Sequence, residues 1–116
     1  MERLRILPVN SKNYNAIRLR KKKRDYRNIV SNFTELFCEV FDITINDDFQ
    51  IIKDGVMIEQ TEPAWIKFRL GYKQDRYPKE IKTLVRLSID YGDAEYGSNP
   101  DILYYVLTIE QLLEEE

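Results

Sequence analysis

Two segments of this chain, residues 65–73 and 82–91, alternate apolar and polar side chains with a period of two. Successive side chains of a strand point to opposite faces, so each segment is predicted to form a strand with one buried and one solvated face. Such strands are typical of antiparallel sheets. The residues predicted to face inward are Ile66, Phe68, Leu70, Tyr72, Val85, Leu87, Ile89 and Tyr91, and those predicted to face outward are Trp65, Lys67, Arg69, Lys73, Lys82, Leu84, Arg86, Ser88 and Asp90.

A β-hairpin is predicted at Asp54-Gly55. An Asp-Gly pair supplies the two positive φ angles of a type I′ turn, which joins antiparallel strands in a two-residue loop. The same period of two would place four apolar residues on one face of the hairpin, namely Phe49, Ile51, Val56 and Ile58.

Between residues 26 and 41 the apolar spacing changes to three and four, which is the period of an amphipathic helix. The apolar stripe consists of Tyr26, Ile29, Val30, Phe33, Leu36, Phe37, Val40 and Phe41. It predicts one long helix at roughly 22–41, with an apolar face wide enough to cover a sheet. Cys38 lies beside this stripe, and we expect it to be a packing residue rather than a reactive thiol.

Two alternatives describe the segment after residue 98. Asn99 as a cap with Pro100 at the first helical position would begin a helix there. A strand over 102–107 could instead be followed by a short helix that begins at Thr108, with Gln111 completing a capping box. The second alternative is the prediction, because the tyrosines and valine before residue 107 favour a strand.

These elements together predict that residues 1–116 form a single α+β domain. One long helix would pack on an antiparallel meander sheet of four or five strands, with a short C-terminal helix. Residues 3–9 are predicted to form an edge strand, because Pro8 has no N–H to donate to a central ladder.

The composition excludes several classes of chemistry. The chain has no histidine and one cysteine, so Ser-His-Asp and Cys-His catalysis, an internal disulfide and a cysteine metal cluster are all excluded. Four acids surround a glycine-containing loop, but their spacing is not that of a calcium-binding loop; they are Asp90, Asp93, Glu95 and Asp101. We therefore expect a protein that is not an enzyme and carries no metal or other cofactor.

No apolar run approaches the ~20 residues of a membrane span, and no secretory leader opens the chain. We expect no membrane partner and a cytoplasmic location, which suits a single free thiol. The frequent Ile, Asn, Lys, Asp and Tyr are typical of an AT-rich genome, so an origin in a phage or mobile element is a further expectation.

Charge is ordered in four blocks of alternating sign. Residues 1–28 carry a net charge of +8, residues 29–65 a net charge of −7, residues 66–86 a net charge of +5 and residues 87–116 a net charge of −8. These blocks nearly cancel to the overall −2, so strong local fields underlie a near-neutral chain. Fields of this kind govern how a surface meets its partners.

The densest positive run places seven cations within residues 18–27: Arg18, Arg20, Lys21, Lys22, Lys23, Arg24 and Arg27. Like charges this close repel one another unless nearby anions neutralise them. A nucleic-acid backbone is one answer, with Tyr14 and Tyr26 available to stack on bases. The other is a solvated segment neutralised by acids of the same chain or of a protein partner.

The outer face of the predicted sheet is the second positive surface. It would gather Lys67, Arg69, Lys82 and Arg86, with Lys73, beside the ring of Trp65. Either an anionic partner covers this face or acids of the chain pair with it.

The sequence therefore predicts a non-enzymatic interaction module that binds another macromolecule through a charge-polarised surface. Its partner would be a protein, a second copy of the chain included. The alternative is a nucleic-acid-binding protein that uses residues 18–27 and the basic outer sheet face.

Overall fold

A computed structural model describes residues 4–71 and 79–114, which hold two helices and eight strands. The helices are α1 (Ser11–Arg18) and α2 (Ser31–Phe41). The strands are β1 (Ile6–Val9), β2 (Arg24–Asn28), β3 (Thr44–Ile45), β4 (Ile51–Lys53), β5 (Val56–Ile58), β6 (Ala64–Leu70), β7 (Glu80–Tyr91) and β8 (Leu103–Glu114). A short 3₁₀ turn, Ala94–Tyr96, lies between β7 and β8.

The strands form two sheets. The larger is a curled, mixed sheet in the order β1-β6-β7-β8-β2, in which β1 runs parallel to β6 and all other neighbours are antiparallel. The smaller sheet is antiparallel, in the order β3-β4-β5. The prediction that the segment holding Pro8 is an edge strand is confirmed, whereas a wholly antiparallel meander is wrong because β1 pairs in parallel.

The predicted long helix over 22–41 is also wrong. Strand β2 interrupts it, and α2 begins only at residue 31. The apolar stripe is divided between the two elements: Tyr26 belongs to β2, and Val30 is the N-cap of α2 with 47% of its surface exposed. Helix α1 was not predicted; the side chain of Asn10 caps it by accepting a hydrogen bond from the Asn13 N–H at 2.8 Å. Tertiary pairing of β2 with β8 outweighs the helical spacing.

The predicted short C-terminal helix is replaced by a strand. Thr108 and Gln111, the proposed capping-box pair, lie within β8 and pair with Arg86 and Leu84 of β7. The long ladder between β7 and β8 satisfies the backbone groups that a cap would have served. The strand predicted over 102–107 is thus the first half of a longer one.

The two alternating segments are strands, as predicted, and Ile66, Phe68, Val85 and Leu87 are fully buried. The inward placement of Tyr91 is wrong, since 57% of its surface is exposed at the end of β7. Tyr72 and Lys73 lie outside the described residues.

The hairpin between β4 and β5 is confirmed. Asp54 and Gly55 have φ angles of 51° and 78°, as a type I′ turn requires. The prediction of a single apolar face on this hairpin is wrong, because Ile51 is buried while Phe49 and Val56 are 47% and 61% exposed.

Both helices contribute to the core on the inner side of the curled sheet. Helix α1 contributes Tyr14 and Ile17, and α2 contributes Phe37 and Phe41. The ring of Phe37 meets that of buried Tyr105 edge-on, with centroids 5.2 Å apart. Neither described helix combines the length and the apolar content that a membrane crossing would need.

Candidate ligand-binding surface

The cationic run 18–27 is divided by the turn that joins α1 to β2. The turn reverses the chain through Arg20, whose φ of 61° is left-handed. Its N–H donates to the Ile17 carbonyl at 3.0 Å, and the Lys21 N–H donates to the Ala16 carbonyl at 2.9 Å. This is the bonding pattern that ends many helices, with arginine at the position where glycine is usual. The turn exposes Arg20, Lys21 and Lys23, which we name the basic turn.

Two other members of the run have a structural role. Asp25 is only 2% exposed, and its carboxylate pairs with Lys22 at 3.2 Å and with the Nε of Arg27. The Arg27 guanidinium also lies over the ring of Phe33, 5.7 Å from its centroid, and donates to the Pro8 carbonyl at 3.1 Å. Lys22 and Arg27 therefore compensate a buried charge, which limits what they can offer to a partner.

The basic turn is different. Within residues 4–71 and 79–114, no carboxylate lies within ion-pair distance of Arg20, Lys21 or Lys23. Arg18 is exposed at the end of α1, and Arg24 is exposed at the start of β2. A side-chain hydrogen bond with Tyr26 raises the pKa of Arg24, and the nearby Asp93 adds to the rise.

Three tyrosines lie close to one another, and two of them reach these cations: Tyr26 is hydrogen-bonded to Arg24, and Tyr96 shares a hollow with Lys21. The ring of Tyr26 lies 5.6 Å from that of Tyr96 and 5.9 Å from that of Tyr104, the second contact being edge-on. All three line a cleft of about 450 Å³ whose polar lining includes Asn13 and Lys22. We name it the tyrosine cleft. A smaller hollow of about 270 Å³, lined by Lys12 and Lys21, shares Lys22 and Tyr96 with it.

Sequence reasoning found only part of this site. Tyr26 is in it, but Tyr14 is 7% exposed and belongs to the core, so it cannot stack on a ligand. Tyr96 and Tyr104 were missed because they lie 70 and 78 residues after Tyr26 in the chain. Only the pairing of β2 with β8, and the 3₁₀ turn before β8, bring the three rings together.

The basic outer face of the sheet is largely neutralised. Glu80 accepts an ion pair from Arg69 at 2.7 Å and lies 3.7 Å from Lys67. Arg86 pairs with Glu110 at 2.8 Å. The ammonium of Lys82 lies over the ring of Trp65, 5.1 Å from its centroid. Acids of the sheet thus neutralise three of the cations that the sequence predicted to meet a partner, Lys67, Arg69 and Arg86, while Lys73 lies outside the described residues.

The remaining reactive groups have local roles. Burial raises the pKa of the Cys38 thiol, which packs against the core as expected. Asp93 caps the 3₁₀ turn by accepting the Glu95 N–H at 2.9 Å. In the described part of the chain, no three Cys, Asp or Glu side chains are grouped so that they could hold a metal ion.

Comparisons of the chain with protein-family models, with curated proteins and with solved structures find no match.

Proposed function

We propose that this chain is a non-enzymatic interaction module, and that it binds an anionic macromolecule at the basic turn and the adjoining tyrosine cleft. The observation that carries the proposal is a contrast in ion pairing. Arg20, Lys21 and Lys23 have no carboxylate partner among the described residues, whereas Lys67, Arg69 and Arg86 of the outer sheet face do. Unanswered like charges cost stability, and an anionic ligand would relieve that cost.

Single-stranded nucleic acid is the partner that this geometry favours. Phosphates can be held by exposed lysine and arginine without regard to sequence, and bases can stack on aromatic rings beside them. The tyrosine cleft supplies three half-buried rings, and the smaller hollow beside it joins Tyr96 to Lys21. An acidic protein would use the cations but has no comparable need for the rings.

Two expectations from the sequence, a cytoplasmic location and an origin in a phage or mobile element, are consistent with this role. A chain with one cysteine and no histidine fits a binding protein in a reducing cytoplasm. The amino-acid composition is typical of an AT-rich genome, which is consistent with an origin in a phage or mobile element. Small nucleic-acid-binding proteins would have a use there.

The test is a titration of a fluorescein-labelled oligothymidylate of about 15 nucleotides, followed by anisotropy between about 50 and 200 mM salt. We expect Lys21→Ala/Lys23→Ala to weaken binding and to lower the slope of log affinity against log salt by roughly 0.7 per lost phosphate contact. Tyr96→Ala should weaken binding roughly 5- to 150-fold, the range of one stacked base.

The matched control is Arg5→Ala/Lys53→Ala. It removes the same charge from surface cations that pair with Glu39 and Asp42, outside the site. Equal losses in the two double variants would show that only net charge matters and would contradict the proposal. Absence of binding at the lowest salt would also contradict it. Binding of polyglutamate that is insensitive to Tyr96→Ala would assign the site to an acidic protein instead.

A further inference from the structure

A second surface lies between the small sheet and the end of β7. A groove of about 760 Å³ runs beside the β4–β5 hairpin, and its apolar lining includes Phe49, Met57 and Ile89. Phe49 and Met57 are 47% and 59% exposed. We name this the hairpin groove. It shares no lining residue with the tyrosine cleft, so what it binds is independent of the proposed function.

The aromatic residue of the groove is held in an unfavourable conformation. Phe49 has a φ of 59°, which bulky residues rarely adopt. Asn46 fixes the turn, because its Oδ1 accepts the Asp48 and Gln50 N–H groups at 3.0 and 2.9 Å. A left-handed residue of this kind is strained and destabilises the folded state. The turn therefore gives up stability while holding an aromatic ring at the surface, where it could anchor a partner.

Strand β5 has an open edge beside this ring. In the described residues it pairs only with β4, in the register Lys53↔Val56 and Ile52↔Met57. Because the loop has two residues, Lys53 and Val56 form a hydrogen-bonded pair, so the N–H and C=O of Met57 point away from β4. An exposed apolar edge of this kind is a template for an added strand.

The charge around the groove is negative. Glu59 and Asp90 line it, and Asp47, Asp48 and Asp54 lie in the adjoining turns. Within the described part of the chain, none of these five carboxylates has a lysine or arginine at ion-pair distance. A second copy that paired antiparallel about Met57 would set Glu59 of each chain near Asp54 of the other, and these like charges would repel.

We propose that the hairpin groove binds an extended, basic peptide segment of a partner protein. The segment adds to β5 as a strand and bonds to the backbone of Met57. Its apolar side chains pack on Phe49 and Met57, and its lysines or arginines lie beside Glu59 and Asp90. Backbone pairing supplies affinity here, and the alternating side chains supply specificity.

The test is selection of displayed random peptides of about ten residues on the full chain. We expect enrichment of sequences that alternate Lys or Arg with apolar residues. The most enriched peptide, labelled with fluorescein, should bind Phe49→Gly and Glu59→Lys at least about tenfold more weakly than the wild type. Phe49→Gly keeps the fold because glycine suits the left-handed backbone.

Two controls make the result specific. Ile102→Ser removes an apolar side chain that is 48% exposed outside the groove, and it should leave peptide binding unchanged. The same peptide methylated on alternate backbone nitrogens should lose binding, because it keeps its side chains but cannot pair as a strand. The proposal is overturned if no basic, alternating peptide is enriched, or if enriched peptides bind Phe49→Gly as tightly as the wild type. It is also overturned if sedimentation shows a wild-type dimer that Phe49→Gly abolishes, since a second copy would then occupy the groove.

Discussion

The guanidinium of Arg27 on one edge strand of the curled sheet donates to the backbone carbonyl of Pro8 on the opposite edge strand, across 3.1 Å. The same side chain neutralises buried Asp25. One residue thus links β1 to β2 without a backbone ladder, and it forms part of the lining of the tyrosine cleft. The cleft exists because the sheet curls without closing.

Removing this link should destabilise the protein strongly. We expect Arg27→Met to lower the free energy of unfolding by about 3–5 kcal/mol, since it leaves the Asp25 charge buried with only Lys22 beside it. Urea denaturation measures the change. Arg24→Met on the exposed end of β2 is the control and should have little effect. Asp25→Leu/Arg27→Met should recover much of the loss; a double variant as unstable as Arg27→Met would contradict this account.

Replacing the left-handed residue of the basic turn should instead stabilise the protein. Arg20→Gly should raise the free energy of unfolding by about 1 kcal/mol, because glycine adopts the φ of 61° without strain. Lys21→Gly, one residue on, is the matched control and should lower stability, since glycine there only adds freedom to the unfolded chain. Thermal unfolding followed by circular dichroism compares the two. Destabilisation by Arg20→Gly would mean that the arginine side chain contributes more than its backbone costs.

Thr61 fastens the connection between the small sheet and β7. It is 2% exposed; its hydroxyl accepts the Leu87 N–H at 2.9 Å, and its own N–H donates to the Leu87 carbonyl at 2.9 Å. Thr61→Val keeps the shape but leaves the Leu87 N–H unpaired, which should cost about 1–3 kcal/mol in urea denaturation. Thr61→Ser keeps the hydroxyl and should cost less. A greater loss for Thr61→Ser than for Thr61→Val would instead place the role of Thr61 in its methyl group.

Tyr105 should make stability depend on alkaline pH. Burial raises its pKa, while its hydrogen bond with Thr34 acts in the opposite direction. Because the native state keeps the phenol protonated after the unfolded state has begun to ionise, the contribution of Tyr105 to stability should be constant below about pH 10 and should fall as the pH rises toward the native pKa. Tyr105→Phe should flatten this fall. Denaturation curves from pH 8 upward test it, and an unchanged slope would refute it.

Gly92 controls the shape of the loop that carries Tyr96. A methyl group on Gly92 would lie 2.4 Å from the Asn99 carbonyl oxygen and 2.7 Å from the ring of Tyr104. We expect Gly92→Ala to lower the free energy of unfolding by about 1–3 kcal/mol and to weaken oligonucleotide binding by displacing Tyr104. Ala94→Ser, at an exposed position of the same loop outside the cleft lining, is the control and should change neither stability nor binding. Unchanged oligonucleotide binding by Gly92→Ala would show that the conformation of this loop does not affect the binding site.

The local sequence determined those features that depend on neighbouring residues. The period of two identified β6 and β7, Asp54-Gly55 determined the hairpin turn, and Pro8 predicted an edge strand. In each case the physical cause acts within a few residues: alternation of side chains, tolerance of positive φ, or the lack of an N–H.

Only the tertiary structure decided the rest. Residues 24–28 have helical spacing around them, yet they form a strand because β8 offers a ladder, and residues 108–114 extend β8 because β7 offers another. Ion pairs such as that of Arg86 with Glu110 determine which cations are neutralised. These pairs join residues that lie far apart in the chain. The basic turn and the tyrosine cleft therefore emerge from long-range pairing, whose free energy outweighs local propensity and leaves no periodic trace in the sequence.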